Sequence, residues 1–291
     1  MTEDTIDLDP KTAAVMKKKG YEFQKKLSQG AFGQVYKGTN SKTGIETVAI
    51  KVMDLKAVGE KFKDKFLPRE IDALIGVKHD NTVFIYDIIR CNHKMYIFME
   101  FCTDSDVANY LQKNNAIPEE KSCIWFTQVS QAVCWMHTNL HMAHRDIKLD
   151  NILLTSKSGE LIAKLTDFGF SKKCWNEDQE KVELSKTFCG TEPYYSPQIV
   201  SKKEYNAFAA DVWALGVVLF CMLNNKFPFH FNDSKRQIKE QTDRSFIDSR
   251  FIKDFGKDLK DLHYKCWTEN EKNRITIQDL LKHPWIVRKG K

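Results

Sequence analysis

The periodicity of this chain changes once, near residues 100–105, and that change limits the folds open to it. Upstream, from Tyr21 to about Phe101, short stretches rich in β-branched and aromatic residues dominate: FQKKL, QVYKGTN, ETVAIKVM, TVFIYDII and KMYIFMEF. Each has strand length, and NSKTG between the second and third carries hairpin-loop chemistry. One helical pattern interrupts them. EKFKDKFLPREIDALIGV places Phe62, Phe66, Ile71, Leu74 and Ile75 near helical spacing, with Pro68 at the entry to its last turns. Downstream of Cys102 long amphipathic segments take over, among them EKSCIWFTQVSQAVCWMHTNL and AADVWALGVVLFCML. A β-rich part followed by an α-rich part predicts two lobes of an α+β protein. Residues 1–20 read as a polar, loosely held extension.

Composition excludes several classes. With 291 residues, 42% of them hydrophobic, the chain can fill sizeable cores. Its net charge of +6 is spread over interspersed signs, without the basic stripe of a nucleic-acid or membrane binder, so neither partner is expected. The eight cysteines form no C-x-x-C pair and no zinc-ligand spacing, which predicts reduced thiols. The acidic start MTEDTIDLDPKTAA lacks the apolar core of a signal peptide. The longest apolar run, Val212 to Leu223, is short for a bilayer and reads as a buried helix. A soluble cytoplasmic protein, with the nucleus also open to it, is expected.

Four stretches carry chemistry. LSQGAFGQVY, residues 27–36, sets Gly30 and Gly33 three apart and reads equally as a tight turn or as a backbone cradle for phosphates. VAIK ends a strand on Lys51, which is an ordinary solvated charge unless a carboxylate meets it; Glu70, inside the predicted helix, could be that counter-ion. HRDIKLDN (His144 to Asn151) and LTDFGF (Leu165 to Phe170) then bring Asp146, Lys148, Asn151 and Asp167 within 22 residues. Chance seldom assembles two carboxylates, an amide and a lysine at that spacing.

On these motifs the chain resembles the eukaryotic protein kinases from about Tyr21 to Trp285. The resemblance implies a bilobal protein kinase fold: a small β-rich N-lobe (21–101) with one regulatory helix, then a hinge and a larger, mainly helical C-lobe (102–286). Residues 1–20 would precede the domain and 287–291 would form a short basic tail. It implies an ATP- and Mg2+-dependent phosphotransferase in which Asp146 orients the acceptor hydroxyl and takes its proton. Lys148 would neutralise the moving phosphoryl group, and Asn151 and Asp167 would hold Mg2+. Lys51, paired with Glu70, would meet the nucleotide phosphates under a loop of Ser28, Gly30 and Gly33, with Phe32 at its tip. Leu27, Val35, Ala49 and Leu153 would sandwich the adenine, Met99 would back it, and the backbone of Glu100 and Cys102 would bond its edge. Lys148, together with Thr191 ahead of YYSPQ, resembles the serine/threonine type.

The same resemblance makes Thr187 an activation-loop phosphosite, with Arg145 and Lys172 as its basic pocket, and implies an upstream activating kinase. Protein substrates with basic residues upstream of the acceptor would meet Asp106 and Asp150; ribose or water at Asp106 and solvent at Asp150 fit the sequence as well. Asp211 would take hydrogen bonds from the catalytic-loop backbone. KFLPREI, DFGFSKKC and LSKTFCGT are similar to the testis-specific serine/threonine kinases, in the calmodulin-dependent-kinase-like group. That similarity implies a role in spermatogenesis and a chaperone partner. A monomer is expected, and no attached autoinhibitory or calmodulin-binding segment, because the sequence stops almost where the catalytic domain does. Three positions depart from the family pattern: Ser28 stands for the first loop glycine, EPYY inverts the usual Pro-Glu order, and Gln198 replaces the glutamate expected to face Arg274. They sustain one alternative, a catalytically impaired kinase acting as a binding scaffold.

Overall fold

The computed structural model describes residues 6–30, 33–56, 75–176, 178–251 and 255–289. It divides into two compact units, one of residues 1–79 and 83–103, the other of residues 80–82 and 104–291. The expected helix over EKFKDKFLPREIDALIGV falls outside the described residues except for its last three, and so do Glu70 and Phe32.

The first unit is an antiparallel five-stranded sheet of order β1-β2-β3-β5-β4. Its strands are β1 (Tyr21–Gly30), β2 (Gly33–Asn40), β3 (Ile45–Asp54), β4 (Ile85–Cys91) and β5 (Lys94–Glu100). Register sorts the side chains by face, because directly paired residues point the same way. Val35, Lys51 and Ile97 are aligned, as are Lys37, Ala49 and Met99. The opposite face carries Tyr36, Val48, Ile50, Val52, Tyr96 and Phe98, all buried.

That second face is covered by residues expected to be loose. Helix α1 (Pro10–Lys19) starts at Asp9, whose side chain accepts from the Thr12 amide, and places Pro10 at its first position, where the missing N–H costs nothing. Gly20 ends it at φ 85°. Thr12 and Met16 are buried, and Met16 joins Tyr21, Tyr96 and Phe98 in one apolar cluster that Ile6 and Leu8 flank. The extension is therefore ordered from at least Pro10, because an apolar sheet face recruits it.

The second unit is built round helix α4 (Ala207–Asn224), which is buried on every side and contains the long apolar run. Earlier helices are α2 (Val107–Asn114) and α3 (Glu119–Asn139). A hairpin of β7 (Ile152–Lys157) and β8 (Glu160–Leu165) turns through Ser158 and Gly159, both at positive φ. The two-residue pair β6 (Met142–Ala143) and β9 (Lys172–Lys173) brackets the loop between them. Residues 287–289, expected as a tail, continue the closing helix Pro284–Lys289. All eight cysteines are free; burial raises the Cys221 thiol and pushes Cys266 up to about 12.

Candidate active site

The loop from His144 to Asn151 is held by one buried carboxylate. Asp211, on α4, accepts the His144 and Arg145 amides at 2.8 Å each and bonds His137 Nε2 at 2.9 Å. These bonds hold Arg145 at φ 68°, a conformation a branched or long side chain seldom adopts unless its surroundings impose it. The following residue is thereby presented in a fixed direction.

That residue is Asp146, with 4% of its surface exposed. Its Oδ1 accepts the Thr191 hydroxyl at 2.7 Å. Its Oδ2 faces Lys148 Nζ and the Asn151 amide, both at 3.1 Å. Lys148 also donates to Thr191 Oγ1 at 2.9 Å, which closes a ring of carboxylate, ammonium and hydroxyl. A carboxylate with both oxygens held is oriented before any substrate arrives, and the cost of ordering it is met on folding.

Asn151 donates from Nδ2 to the Asp146 carbonyl at 2.8 Å as well, so its Oδ1 is the atom suited to a cation. Asp167 stands near it. Thr166, the preceding residue, donates its amide to the Asn151 carbonyl at 2.9 Å, and its own carbonyl accepts His144 Nε2 at 3.0 Å. Asp167 adopts φ 61° and opens the turn Phe168–Phe170, whose Phe168 packs edge-on against His144. One carboxylate and one amide oxygen are hard donors of the kind that would hold Mg2+. The described residues hold no cluster of three or more His, Cys, Asp or Glu, so they offer no self-sufficient cage for a softer metal.

Arg145 points the other way. Its Nε donates to the Phe170 carbonyl at 2.7 Å and its Nη1 to Ser185 Oγ at 3.2 Å, while Nη2 is buried without a hydrogen-bond partner. Lys172 is paired with Ala143, next to the loop. Thr187 is exposed, and its carbonyl accepts the Tyr205 hydroxyl at 3.0 Å. Asp106 caps α2, accepting the Asn109 amide at 2.8 Å and its side chain at 2.6 Å, a use not weighed from the sequence. Asp150 is exposed in the short turn Leu149–Asn151.

The sequence reading used Thr191 only as a marker of acceptor type and passed over Gly190. Gly190 sits at φ 107°, and a Cβ there would stand 2.5 Å from the Arg145 carbonyl. Only glycine lets the segment 184–191 lie directly against the loop that carries Asp146.

The first unit carries the remaining candidates. Ser28, Gln29 and Gly30 pair with Val35, Gln34 and Gly33 across the β1–β2 hairpin, and a Cβ on Gly33 would stand 2.1 Å from the Val52 carbonyl. Leu27 is exposed at 39%. Val35, Ala49 and Lys51 share one sheet face with Met99. The Glu100 amide donates to the Phe84 carbonyl at 2.8 Å and its Oε2 accepts the Phe84 amide at 3.2 Å; Cys102 follows two residues on. Leu153 lies on β7 in the second unit.

With this geometry in place, the comparisons are specific. A model of the protein kinase domain matches residues 21–286. Mouse testis-specific serine/threonine-protein kinase 2 is 33% identical over 275 residues, covering 94% of this chain and 75% of its own. Human testis-specific serine/threonine-protein kinase 1 is 33% identical over 280 residues, covering 96% and 75%. CBL-interacting serine/threonine-protein kinase 18 of Arabidopsis thaliana is 33% identical over 266 residues, covering 91% and 49%.

Proposed function

The chain belongs to the protein kinase family as a serine/threonine protein kinase, and we propose that it moves the γ-phosphoryl group of ATP, with Mg2+, to serine and threonine hydroxyls of protein substrates through Asp146. The observation that carries this reading is the closed ring of Asp146, Lys148 and Thr191, with Asn151 bonded to the same carboxylate. Phosphoryl transfer asks the protein for alignment and charge compensation more than for covalent chemistry. Asp146 orients the acceptor hydroxyl and takes its proton; Lys148 offsets negative charge beside it. Bound Mg2+ would neutralise the phosphate oxygens, held by Asn151 and Asp167.

Control falls to the segment 184–191. An unpartnered Arg145 nitrogen and an exposed Thr187 support a switch in which phosphorylation of Thr187 by an upstream kinase recruits Arg145 and Lys172. Free thiols throughout support a reducing compartment, the cytoplasm or nucleus. The testis-specific relatives support a role in spermatogenesis.

Labelled ATP, Mg2+ and a generic basic protein substrate, incubated with the parent and with Asp146→Asn, test the assignment. The parent should label the substrate and the variant should lose at least about a hundredfold in rate. Equal labelling by both would sink the assignment, and no labelling by either would favour a scaffold.

A further inference from the structure

β3 is buried on both of its faces. One face carries Lys51; the other needs a cover, and α1 provides it. An ion pair and buried side chains tie that helix to a single hairpin. Near its start, Thr12 is fully buried and donates its hydroxyl to Asp9 Oδ2 at 2.6 Å. At its end, Lys19 pairs with Asp87 of β4 at 3.0 Å. Gly20 then turns the chain into β1, where the Tyr21 ring stacks on Phe98 with centroids 3.6 Å apart. Met16 fills the space between these anchors.

The cluster that holds Met16 includes Cys91, at the closed end of the β4–β5 hairpin, and the Lys19–Asp87 pair lies nearer its open end, where β5 leads through Met99 and Glu100 to Cys102. We propose that α1 is a splint for this hairpin and that Thr12 and Met16 are positioning residues for nucleotide binding, although they lie on the sheet face opposite Lys51. This rests on the reading that residues 100–102 meet the adenine. A hairpin strand is displaced as a unit, so fixing β5 from behind fixes the backbone groups at its end. A plain stabilising helix would act differently: its loss would lower stability without singling out nucleotide affinity.

The test uses the full chain as parent, Met16→Lys, Met16→Leu and Thr12→Val, the last removing only the buried hydroxyl that holds Asp9 at the start of α1. Amide hydrogen exchange without nucleotide and equilibrium titration with ATP and Mg2+ are measured on each. Met16→Lys and Thr12→Val should speed exchange in β4 and β5 while leaving α4 unchanged, and should weaken ATP binding by about fivefold, the scale of a lost buried contact acting at a distance. Met16→Leu should match the parent in both. Unchanged hairpin exchange in both Met16→Lys and Thr12→Val overturns the splint, and so does faster exchange with unaltered ATP affinity. If Met16→Lys does not fold, Thr12→Val decides by the same two readouts. A parent that binds ATP but transfers no phosphoryl group contradicts the catalytic reading alone, since neither readout depends on turnover.

Discussion

Thr191 shows how much of the site depends on one hydroxyl. It donates to Asp146 and accepts from Lys148, so removing it frees both partners to pair with each other in more than one geometry. Thr191→Ala should lower kcat by about a hundredfold with little change in the Michaelis constant for ATP, the pattern of a lost alignment. Thr191→Ser should stay near the parent, and steady-state kinetics on the pair checks both. Gly190→Ala acts by sterics: a methyl 2.5 Å from the Arg145 carbonyl at φ 107° forces the two segments apart. Strain of about 1–3 kcal/mol should appear as a lower melting temperature, with activity falling too. Ser28, paired with Val35 where a glycine is usual, gives the opposite expectation. Ser28→Gly should lower the Michaelis constant for ATP, and a constant that stays level or rises would count against that.

At the scale of elements, the grouping of Asp146, Lys148 and Asn151 was readable because one short loop contains it. The Gly190 and Thr191 contribution was not, since Thr191 meets Asp146 across 45 residues of sequence and only the fold brings them together. The α1 helix lay between these cases. Asp9, Pro10 and Gly20 are ordinary start and stop signals, yet its cover comes from the alternation of Tyr36, Val48, Ile50 and Phe98 in other strands. Gln198 was foreseen to face Arg274, and it does, at 3.2 Å. The carbonyls of Ala209, Thr268 and Glu269 satisfy most of the remaining guanidinium donors, and the group lies over the Trp213 ring. Hydrogen bonding is thus in place but charge compensation is thin, and burial lowers the Arg274 pKa to about 10. Gln198→Glu would turn the existing bond from the Arg274 cation to a neutral amide oxygen into a fully ionic pair, and would lose the neutral bond from Gln198 Nε2 to the Glu269 carbonyl, about 0.5–1.5 kcal/mol. With the new charge compensation outweighing one neutral bond, thermal unfolding should occur at a higher temperature in the variant. A lower midpoint would show that repulsion from the Glu269 carbonyl dominates.

For the whole molecule, one residue that handles no substrate contributes acid sensitivity. His263, on the helix Lys257–Cys266, is wholly buried among Trp267, Phe251 and Phe220, with ring centroids at 5.0, 5.4 and 6.0 Å. Its Nδ1 donates to the Leu259 carbonyl at 3.0 Å, and Nε2 is buried with no hydrogen-bond partner. Burial disfavours the imidazolium and lowers its pKa to about 4, the Leu259 bond opposing that only in part. In the unfolded chain the same histidine titrates near its ordinary value of about 6.5. Between those values the unfolded state holds the extra proton, so stability falls as the pH drops through the window and levels off below about 4. At its full extent the loss is about 3 kcal/mol, a large share of a typical folding free energy. Buried carboxylates such as Glu240, where burial raises the pKa but hydrogen bonds from His230 and Arg236 and the charge of His230 lower it overall, also lose stability in acid, so the parent's profile alone does not isolate the histidine. His263→Phe keeps an aromatic ring in the cluster and removes the titration. Denaturant unfolding of both proteins from pH 7.5 to 4.5 should give a difference in stability that shifts steadily in favour of the variant as pH falls. Parallel profiles across that range would mean that His263 is protonated in the folded protein as readily as in the unfolded one, and that the aromatic cluster round it admits charge.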